Sequence, residues 1–262
     1  MTTSLQTFPT KRRLADLLGQ LERGLVERRR QVRLALLVAL AGEHTLLIGP
    51  PGTAKSELAR RLHLAFADAR YFERLLTRFS VPEELFGPLS ISALEQDRYE
   101  RQTAGYLPQA SIAFIDEVFK ANSAILNALL TLLNERRFDN GAGRLACPLI
   151  SVIGATNEVP AGEVAEAFFD RFLVRLPVGP VSTDGFRELM ALDARGGPQI
   201  TGALAEAERD AITHAAGEVR VTEEVSNLLS ELRAFLEGGQ VYVSDRRWMK
   251  ILWLLKTAAA TE

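Results

Sequence analysis

The sequence predicts an α/β protein in which an open, mostly parallel sheet lies between helical layers and is followed by an all-helical domain. Three observations predict it. Short apolar runs bounded by turn residues alternate with helical stretches between residues 42 and 177. A glycine-rich loop with one lysine joins the first of these runs to a helix. From residue 178 onward the apolar spacing is that of helices alone.

Length and composition limit the classes of protein that fit. The chain has 262 residues, 47% of them hydrophobic, with 31 Lys and Arg against 33 Asp and Glu. A net charge of −2 provides no broad positive field, so we expect neither a nucleic acid nor a membrane as partner. The longest apolar run, residues 34–41, is far shorter than the roughly 20 residues that cross a bilayer. With Cys147 as the single cysteine and no export signal, the expected location is the cytoplasm.

Residues 10–41 are predicted to form one or two helices at the start of the sheet domain. Four leucines recur at the spacing of three or four residues that places side chains on one helix face: Leu14, Leu18, Leu21 and Leu25. Arginines 28–30 fall off that face, which predicts a solvated helix surface.

The alternating segment begins after Gly42. Its predicted strands are Thr45–Ile48, Tyr71–Leu76, Ile112–Ile115, Leu149–Ala155 and Phe172–Leu176. Its predicted helices are Ala54–Ala67, Ser123–Glu135 and Val164–Phe169. Strands that are separated by helices favour a parallel sheet, here of five strands. Such sheets bind ligands at the carboxyl ends of their strands.

Two inserts and a helical domain complete the predicted organisation. Residues 87–107 and 137–148 each interrupt the alternation and are predicted to be inserted hairpins, the second around the turn sequence Asp139-Asn140-Gly141. We place a domain boundary in the linker 178–182, which gives a core of residues 1–178 and a helical lid of residues 179–262. The predicted lid helices are Phe186–Leu192, Glu206–Ala216, Thr222–Leu236 and Arg246–Ala258.

The first predicted strand runs into a glycine-rich loop and then into a helix, which is the order that a phosphate-binding loop requires. Backbone N–H groups of the loop and of the helix start can surround an anion, and Lys55 adds a mobile positive charge. The hydroxyl of Ser56 is the candidate ligand for Mg²⁺. Ala54 stands where a glycine is usual, a replacement that fits helical φ and ψ. The candidate binding residues are Gly49, Pro50, Pro51, Gly52, Thr53, Ala54, Lys55 and Ser56.

The predicted strand 112–115 ends in two carboxylates, Asp116 and Glu117. Like charges side by side repel each other unless a cation or a proton relieves them. Asp116 is the candidate ligand for Mg²⁺, directly or through water, and Glu117 is the candidate base that polarises the attacking water. The alternative is that both acids cap the helix that follows Lys120.

The next predicted strand, 149–155, delivers Thr156 and Asn157. An amide at a strand end beside the Asp116 strand can orient the attacking water without competing for its proton. The alternative for Asn157 is that it starts a turn.

Taken in order, these motifs resemble those of AAA+ ATPases. The segments 49–56, 114–117, 155–158 and 168–172 are similar to the Walker A, Walker B, sensor 1 and arginine-finger segments of that family. The two inserts are similar to those of the MoxR group. The strings at 78–90, 98–106 and 243–248 resemble the RavA-like branch of that group.

The resemblance implies a P-loop AAA+ core with a helical lid, and it implies roles for residues outside the loop. Arg171 would be an arginine finger that reaches into the neighbouring subunit's site, whereas a surface pair with Asp170 is the alternative. Arg246 falls at the sensor 2 position, with Arg247 beside it as the alternative. Adenine would lie near residues 24–27, between core and lid, although no side chain there identifies it.

The partners also follow from the resemblance. An arginine that acts on a neighbour implies a ring of identical subunits, usually a hexamer in this family. ATP and Mg²⁺ are the implied nucleotide and metal. The client would be a protein, such as a metal-cofactor enzyme or a protein with a von Willebrand A domain. Tyr99 and Tyr106 are candidates for contact with it, and ordinary packing is the alternative.

The expected function is Mg²⁺-dependent ATP hydrolysis that drives the remodelling of a protein client. A nucleotide-dependent assembly scaffold with little turnover is one alternative. A DNA-dependent motor is another, and the balance of charges disfavours it. RavA-like proteins continue beyond the lid into a partner-binding region that the given sequence lacks, so partners known through that region are not transferred.

Overall fold

The computed structural model describes residues 11–141, 143–158, 163–192 and 199–261. Residues 1–10, assigned above to the core, and 262, assigned to the lid, lie outside these ranges. The strands are β1 His44–Ile48, β2 Tyr71–Leu75, β3 Ile112–Asp116, β4 Arg137–Asn140, β5 Gly143–Ala146, β6 Ser151–Thr156 and β7 Phe172–Pro177. The helices are α1 Lys11–Glu22, α2 Arg29–Leu40, α3 Lys55–His63, α4 Glu83–Phe86, α5 Ile91–Leu94, α6 Ser123–Glu135, α7 Glu163–Phe169, α8 Thr183–Ala191, α9 Glu206–Glu218, α10 Glu223–Gly238 and α11 Asp245–Thr261.

A five-stranded sheet forms the centre of the described part of the chain, with the strand order β2-β3-β6-β1-β7. Every pair of neighbouring strands in it is parallel. Strand β6 lies between β1 and β3, with Thr156 beside Ile48 and Gly154 beside Ile115. The carboxyl ends of these three strands therefore meet at one edge of the sheet. The predicted parallel five-stranded sheet is confirmed.

Both faces of the sheet are buried, which explains why its strands are almost wholly apolar. Successive strand residues point to opposite faces, so Leu47 and Ile153 belong to one apolar cluster and their neighbours Leu46 and Val152 to the other. Helices α1, α2, α3 and α9 cover the first face. Helices α6 and α7 cover the second.

The two inserts differ from each other in structure. Strands β4 and β5 pair antiparallel around the turn at Gly141, so the hairpin predicted at 137–148 is confirmed. The segment 87–107 is not a regular hairpin. An isolated antiparallel bridge between Leu89 and Arg101 closes it, but the short helix α5 lies between them where a hairpin would continue its strand. Its helical start is set by Ser90, whose hydroxyl accepts a hydrogen bond from the Ala93 backbone N–H.

The inserts contact each other at the hairpin tip. The side chain of Asn140 accepts a hydrogen bond from the Arg101 backbone N–H at 2.6 Å and donates one to the Arg101 carbonyl at 3.2 Å. A Cβ on Gly141 would lie 2.7 Å from the Tyr99 carbonyl oxygen, so only glycine allows this approach. Tyr106 packs against the core, whereas Tyr99 is 61% exposed and stays a candidate contact residue.

The helices after β7 do not form a separate cluster. Leu204 and Ile212 of the α9 region are fully buried in the same apolar cluster as α1 and α2, and Leu204 bridges to Phe66. The predicted boundary at 178/179 falls between the end of β7 and the start of α8, and the division into two domains stays a prediction. Across the described ranges, no helix is long and apolar enough to cross a membrane.

Candidate active site

The loop 49–56 turns sharply between β1 and α3 because two of its glycines permit it. A Cβ on Gly49 would lie 2.0 Å from the Val178 carbonyl oxygen of the chain that follows β7. Gly52 has φ +77°, a value that favours glycine. The hydroxyl of Thr53 donates to the Pro50 carbonyl at 2.9 Å and closes the turn. The loop thus sits at the carboxyl end of β1, as predicted.

Ala54 departs from the expected conformation. It is the residue before α3 and has φ 67° and ψ 24°, in the left-handed region. The expectation that alanine is accepted there in a helical conformation is therefore wrong. A Cβ in this region costs about 1–2 kcal/mol, which explains why glycine is usual at this position.

Lys55 and Ser56 open helix α3. The Lys55 side chain is buried, and its Nζ donates hydrogen bonds to the carbonyls of Gly49 and Pro50, each at 2.8 Å. The ammonium is thereby held over the loop at the amino end of the helix, where the backbone N–H groups have no intrahelical partners. Ser56 follows in the first turn and is half-buried. The positive charge and the free amides thus share one location.

The two acids at the end of β3 adopt different conformations. Asp116 is the last strand residue, and its Oδ1 accepts a hydrogen bond from the Glu117 backbone N–H at 3.0 Å. Glu117 has φ 52°, a conformation that strains any residue other than glycine. Lys120 Nζ lies 3.3 Å from Glu117 Oε2, without hydrogen-bond geometry. Within the described residues, that buried oxygen has no hydrogen-bond partner.

The alternative role for these acids, capping the next helix, is wrong. Helix α6 begins at Ser123, and its cap is Asn122. The side chain of Asn122 accepts a hydrogen bond from the Ile125 backbone N–H at 3.0 Å. The capping requirement is satisfied without either acid.

Strand β6 ends beside both the loop and the acids. The carbonyl of its last residue, Thr156, accepts a hydrogen bond from the Gly49 backbone N–H at 2.9 Å. The Thr156 hydroxyl donates to the Glu158 carbonyl at 2.9 Å and fixes the turn after the strand. Asn157 lies in that turn with an exposed side chain. The structure therefore brings together the ends of three neighbouring strands that carry Lys55, Asp116 and Asn157.

Arg28 was missed by the sequence analysis. It is 6% exposed, so the expectation of a solvated surface at this position is wrong. Its Nε donates to the Thr53 carbonyl inside the loop at 3.2 Å, and other nitrogens of the guanidinium donate to the carbonyls of Glu27 and Gly179. Nothing in the sequence around Arg28, which directly precedes α2, indicates that its side chain binds these carbonyls.

The neighbouring Glu27 contacts the start of helix α8. Its carboxylate accepts a hydrogen bond from the Ser182 backbone N–H at 2.8 Å and another from the Ser182 hydroxyl. These hydrogen bonds lower the pKa of Glu27. Ser182 in turn caps α8. Glu27 and Arg28 thus join the start of α8 and the loop, respectively, to one short segment.

A cavity of about 360 Å³ lies between the loop and the region of α8. Residues 50–54 of the loop form one wall of it. The other walls are largely apolar and include Leu25, Val26, Pro180, Val181 and Leu189. Its position is the one at which the resemblance implies adenine, and a flat apolar base suits walls of this kind.

Arg171 and Arg246 lie elsewhere. Arg171 directly precedes β7, whereas the loop lies level with Pro177 at the far end of that strand, six residues or about 20 Å further along. Arg246, at the start of α11, lines the same crevice as Arg171. The structure therefore separates both arginines from the phosphate-binding loop of their own chain.

The alternative pairing of Arg171 with Asp170 is also not observed. Asp170 instead accepts from Arg247 Nη1 at 2.9 Å and lies 3.7 Å from Arg175. Among the described residues, no hydrogen-bond partner reaches Arg171 Nε. Burial, followed by the charge of Arg247, lowers the pKa of Arg175 to about 10. The crevice thus carries an excess of positive charge.

The fold and the three strand ends define a P-loop nucleotide-binding protein with helices beyond its sheet. A family model described as the MoxR domain in MoxR-vWA-beta-propeller ternary systems matches residues 12–215. One described as an AAA lid domain matches residues 224–262. The chain belongs to the MoxR family of AAA+ ATPases, because the first match covers well over half of it.

Two uncharacterized proteins of Methanocaldococcus jannaschii are similar to this chain. MJ0079 is 43% identical over 249 residues, which are 94% of this chain and 64% of that protein. MJ0812 is 42% identical over 236 residues, which are 89% and 62% of the two chains. This chain thus spans less than two thirds of these curated relatives. The crystal structure of a candidate ATPase from Cytophaga hutchinsonii matches with a TM-score of 0.78 at 19% identity, covering 96% of this chain and 80% of that one. This likeness concerns the fold alone.

Proposed function

We propose that this chain hydrolyses Mg²⁺-bound ATP at the loop 49–56 and uses the reaction to remodel a protein client. The observation that carries the proposal is the gathering of three neighbouring strand ends at one edge of the sheet. The phosphate-binding loop follows β1, Asp116 and Glu117 end β3, and Asn157 follows β6. A phosphate-binding loop, an acid and an amide are the groups that the hydrolysis of a phosphoanhydride requires.

The residues present fit a magnesium ion. Ser56 and Asp116 would hold it, since a hydroxyl and a carboxylate supply the oxygen ligands that this hard cation prefers. The buried Oε2 of Glu117, without a hydrogen-bond partner among the described residues, is an acceptor suited to a water molecule. Held by Ser56 and Asp116, Mg²⁺ would offset charge on the β and γ oxygens of the nucleotide.

The chain's own groups would then act in turn. Lys55 would exchange the carbonyls of Gly49 and Pro50 for phosphate oxygens, and Glu117 would polarise the attacking water. Asn157 would orient that water. Adenine would occupy the cavity bounded by Leu25, Val26 and the start of the lid.

The distance of Arg171 from its own chain's loop supports a role in a neighbouring subunit's site. The guanidinium lies in a crevice with an excess of positive charge and can offset the charge that develops on the γ-phosphoryl oxygens. Arg246 lines the same crevice and would act with Arg171 as sensor 2. A head-to-tail ring, a hexamer by family resemblance, would bring this crevice against the next subunit's loop.

We infer the client from the description of the matched family. The matched family is described with vWA and beta-propeller partners, which supports a protein with a von Willebrand A domain as client or partner. A place in the RavA-like branch is supported by the strings at 78–90, 98–106 and 243–248. A cytoplasmic location is supported by the single, buried and unpaired Cys147.

ATP turnover by the assembled protein, compared with that of a Glu117→Gln variant, tests the hydrolysis. We expect the variant to bind Mg²⁺-ATP and to turn over roughly a hundredfold more slowly or worse. Glu231→Gln, at an exposed position on α10, is the matched control and should behave as the unsubstituted protein. A slow rate that Glu117→Gln leaves unchanged would favour the scaffold alternative. Turnover that DNA stimulates, and that salt weakens steeply, would favour the motor.

A further inference from the structure

Helix α11 is joined to the segment that carries Arg171. The guanidinium of Arg247, on the first turn of α11, reaches four acceptors next to Arg171 in the sequence. Its Nη1 donates to Asp170 Oδ1 at 2.9 Å and to the Asp170 carbonyl at 3.3 Å. Its Nη2 donates to the carbonyls of Leu173 at 2.9 Å and Phe172 at 3.4 Å. Arg171 is thus bracketed on both sides by one lid side chain.

We propose that Arg247 is a positioning residue that sets where Arg171 is presented to the neighbouring subunit. Because Arg247 belongs to the lid and Arg171 to the end of the core, a shift of the lid would move the finger. The nucleotide state of one subunit would then alter hydrolysis in the next. This inference rests on the proposed function, in which Arg171 acts on a neighbour.

The geometry favours this role over sensor 2 for Arg247. Its side chain is 16% exposed, and the hydrogen bonds to Asp170, Phe172 and Leu173 occupy both of its terminal nitrogens. Arg246, in contrast, is exposed at the same crevice. The arrangement leaves Arg246 available to a phosphate and commits Arg247 to the backbone around the finger.

Other contacts hold the residues on both sides of Arg171 in place. The hydrogen bonds of Arg247 are therefore the contacts through which the lid can change the position of Arg171. Phe168 and Phe172, on either side of Arg171, are fully buried and pack edge to face. Arg175 Nη2 donates to the Phe169 carbonyl at 3.1 Å, and its guanidinium lies 3.7 Å from the centre of that ring. Asp170, directly before Arg171, is joined to the lid through its carboxylate, which pairs with Arg247.

Helix α11 is itself fastened to the core near the start of β1. Lys250 Nζ lies 2.6 Å from Glu43 Oε2, and Trp253 Nε1 donates to the Ala41 carbonyl at 3.1 Å. Glu27 holds the start of α8 beside the nucleotide cavity. In the predicted division, in which α8 and α11 belong to one lid, the lid contacts both the cavity and the finger of the same chain.

Mixed assemblies test the proposal. Glu117→Gln subunits lack hydrolysis but present an intact finger, whereas Arg247→Ala subunits keep their own site and misplace the finger. Each preparation alone should be slow, and Arg247→Ala should lower kcat by roughly tenfold to a hundredfold with unchanged affinity for Mg²⁺-ATP. A 1:1 mixture should recover activity well above the sum of the two. In a randomly mixed ring, about one quarter of the subunits combine an intact site with an intact neighbouring finger.

Three variants serve as comparisons. Arg171→Ala, mixed with Glu117→Gln in the same way, shows whether the finger acts on a neighbour at all. Asp170→Asn keeps the backbone acceptors and should give a smaller loss, which combining it with Arg247→Ala should not deepen. Arg220→Ala removes an exposed arginine between α9 and α10, and it should leave activity unchanged.

The outcomes separate the two proposals. If activity recovers when Glu117→Gln is mixed with Arg171→Ala but not when it is mixed with Arg247→Ala, the positioning role of Arg247 is overturned. The action of Arg171 on a neighbouring subunit would still be supported. Failure of both mixtures, or the absence of ATP turnover from the unsubstituted protein, would overturn the proposed function and this inference with it. A weakened affinity of Arg247→Ala for Mg²⁺-ATP, without recovery, would assign Arg247 to its own chain's site.

Discussion

Arg28 Nε donates a hydrogen bond to the Thr53 carbonyl, 3.2 Å away, and so joins the segment before α2 to the middle of the phosphate-binding loop. The same guanidinium reaches the carbonyl of Gly179, 151 residues further along the chain. One buried cation therefore ties together the amino-terminal segment, the loop and the entry to the lid. Its position suggests a direct test of how the loop is held.

Arg28→Ala should weaken both the fold and nucleotide binding. Three carbonyls would lose a charged donor, and we expect the free energy of unfolding to fall by about 2–3 kcal/mol. Because the Thr53 carbonyl would lose its anchor, affinity for Mg²⁺-ATP should fall roughly tenfold or more. Urea unfolding and titration calorimetry measure the two effects. The exposed Arg30 provides the control, and Arg30→Ala should change neither. Unchanged affinity in a destabilised Arg28→Ala protein would limit Arg28 to a role in folding.

The sequence predicts which residues stand at the strand ends because the signals for them are local. A strand, a glycine loop and a helix follow one another directly, and the predicted bounds of the helix Ser123–Glu135 coincide with those of α6. The roles of Arg28 and Arg247 could not be predicted, because their partners lie up to 151 and 77 residues away and are, apart from the Asp170 carboxylate, backbone carbonyls. Backbone acceptors leave no trace in the sequence.

The structure of the first insert, residues 87–107, could be predicted only in part from the sequence. Pro88 and Gly105 indicate turns, and the bridge at Leu89 confirms that the segment doubles back. Helix α5, between the two bridged residues, begins at the cap Ser90. This short helix was not predicted, because the neighbouring turn residues favour a hairpin. The left-handed φ of Ala54 is hidden for a different reason, since an alanine in sequence favours a helix.

Ala54→Gly should stabilise the protein. Removing the Cβ relieves about 1–2 kcal/mol of left-handed strain, and the greater freedom of glycine in the unfolded chain returns part of it. We expect a net gain of about 0.5–1 kcal/mol in urea unfolding. Ala15→Gly, at an exposed position inside α1, is the same chemical change at ordinary helical φ and should cost about 1 kcal/mol. Equal losses from the two variants would contradict the strained conformation of Ala54.

Lys55 and Asn157 should separate binding from turnover. Lys55→Ala removes the ammonium held over the loop, so calorimetry should detect no binding of Mg²⁺-ATP. Asn157→Ala removes an exposed amide that would contact only the attacking water, so binding should persist while kcat falls about tenfold or more. An Asn157→Ala variant that binds no nucleotide would show that Asn157 has been misplaced.

Turnover per subunit should increase with protein concentration. Under the proposed function a complete site requires a neighbour, because Arg171 lies about 20 Å along β7 from its own chain's loop. Steady-state rates measured across the concentrations over which assembly occurs should follow the assembled fraction. The Arg171→Ala protein is the control, since its slow rate should not follow assembly. A flat profile for the unsubstituted protein would contradict a finger that acts in trans.

His44 should make stability dependent on pH. The side chain is 3% exposed. Nδ1 accepts from the Val152 backbone N–H at 3.1 Å, so the ring proton is on Nε2, which faces the Leu133 carbonyl at 3.3 Å. Burial, with the charges of Arg136 and Lys250, lowers the pKa of His44 to about 3. The folded chain therefore keeps this ring neutral at a pH where the unfolded chain protonates it.

The sign of the dependence follows from proton binding. Between pH 6.5 and 3, His44 binds a proton in the unfolded state but not in the folded state. The free energy of unfolding therefore falls as the solution is acidified. From pH 7 to pH 5, His44 alone should remove about 2 kcal/mol from the free energy of unfolding. His44→Gln can keep both hydrogen bonds but cannot be protonated, so in urea unfolding it should lose that much less over the same interval. His214→Gln, at an exposed position on α9, should keep the slope of the unsubstituted protein. Equal slopes for His44→Gln and the unsubstituted protein would assign the acid sensitivity to other groups.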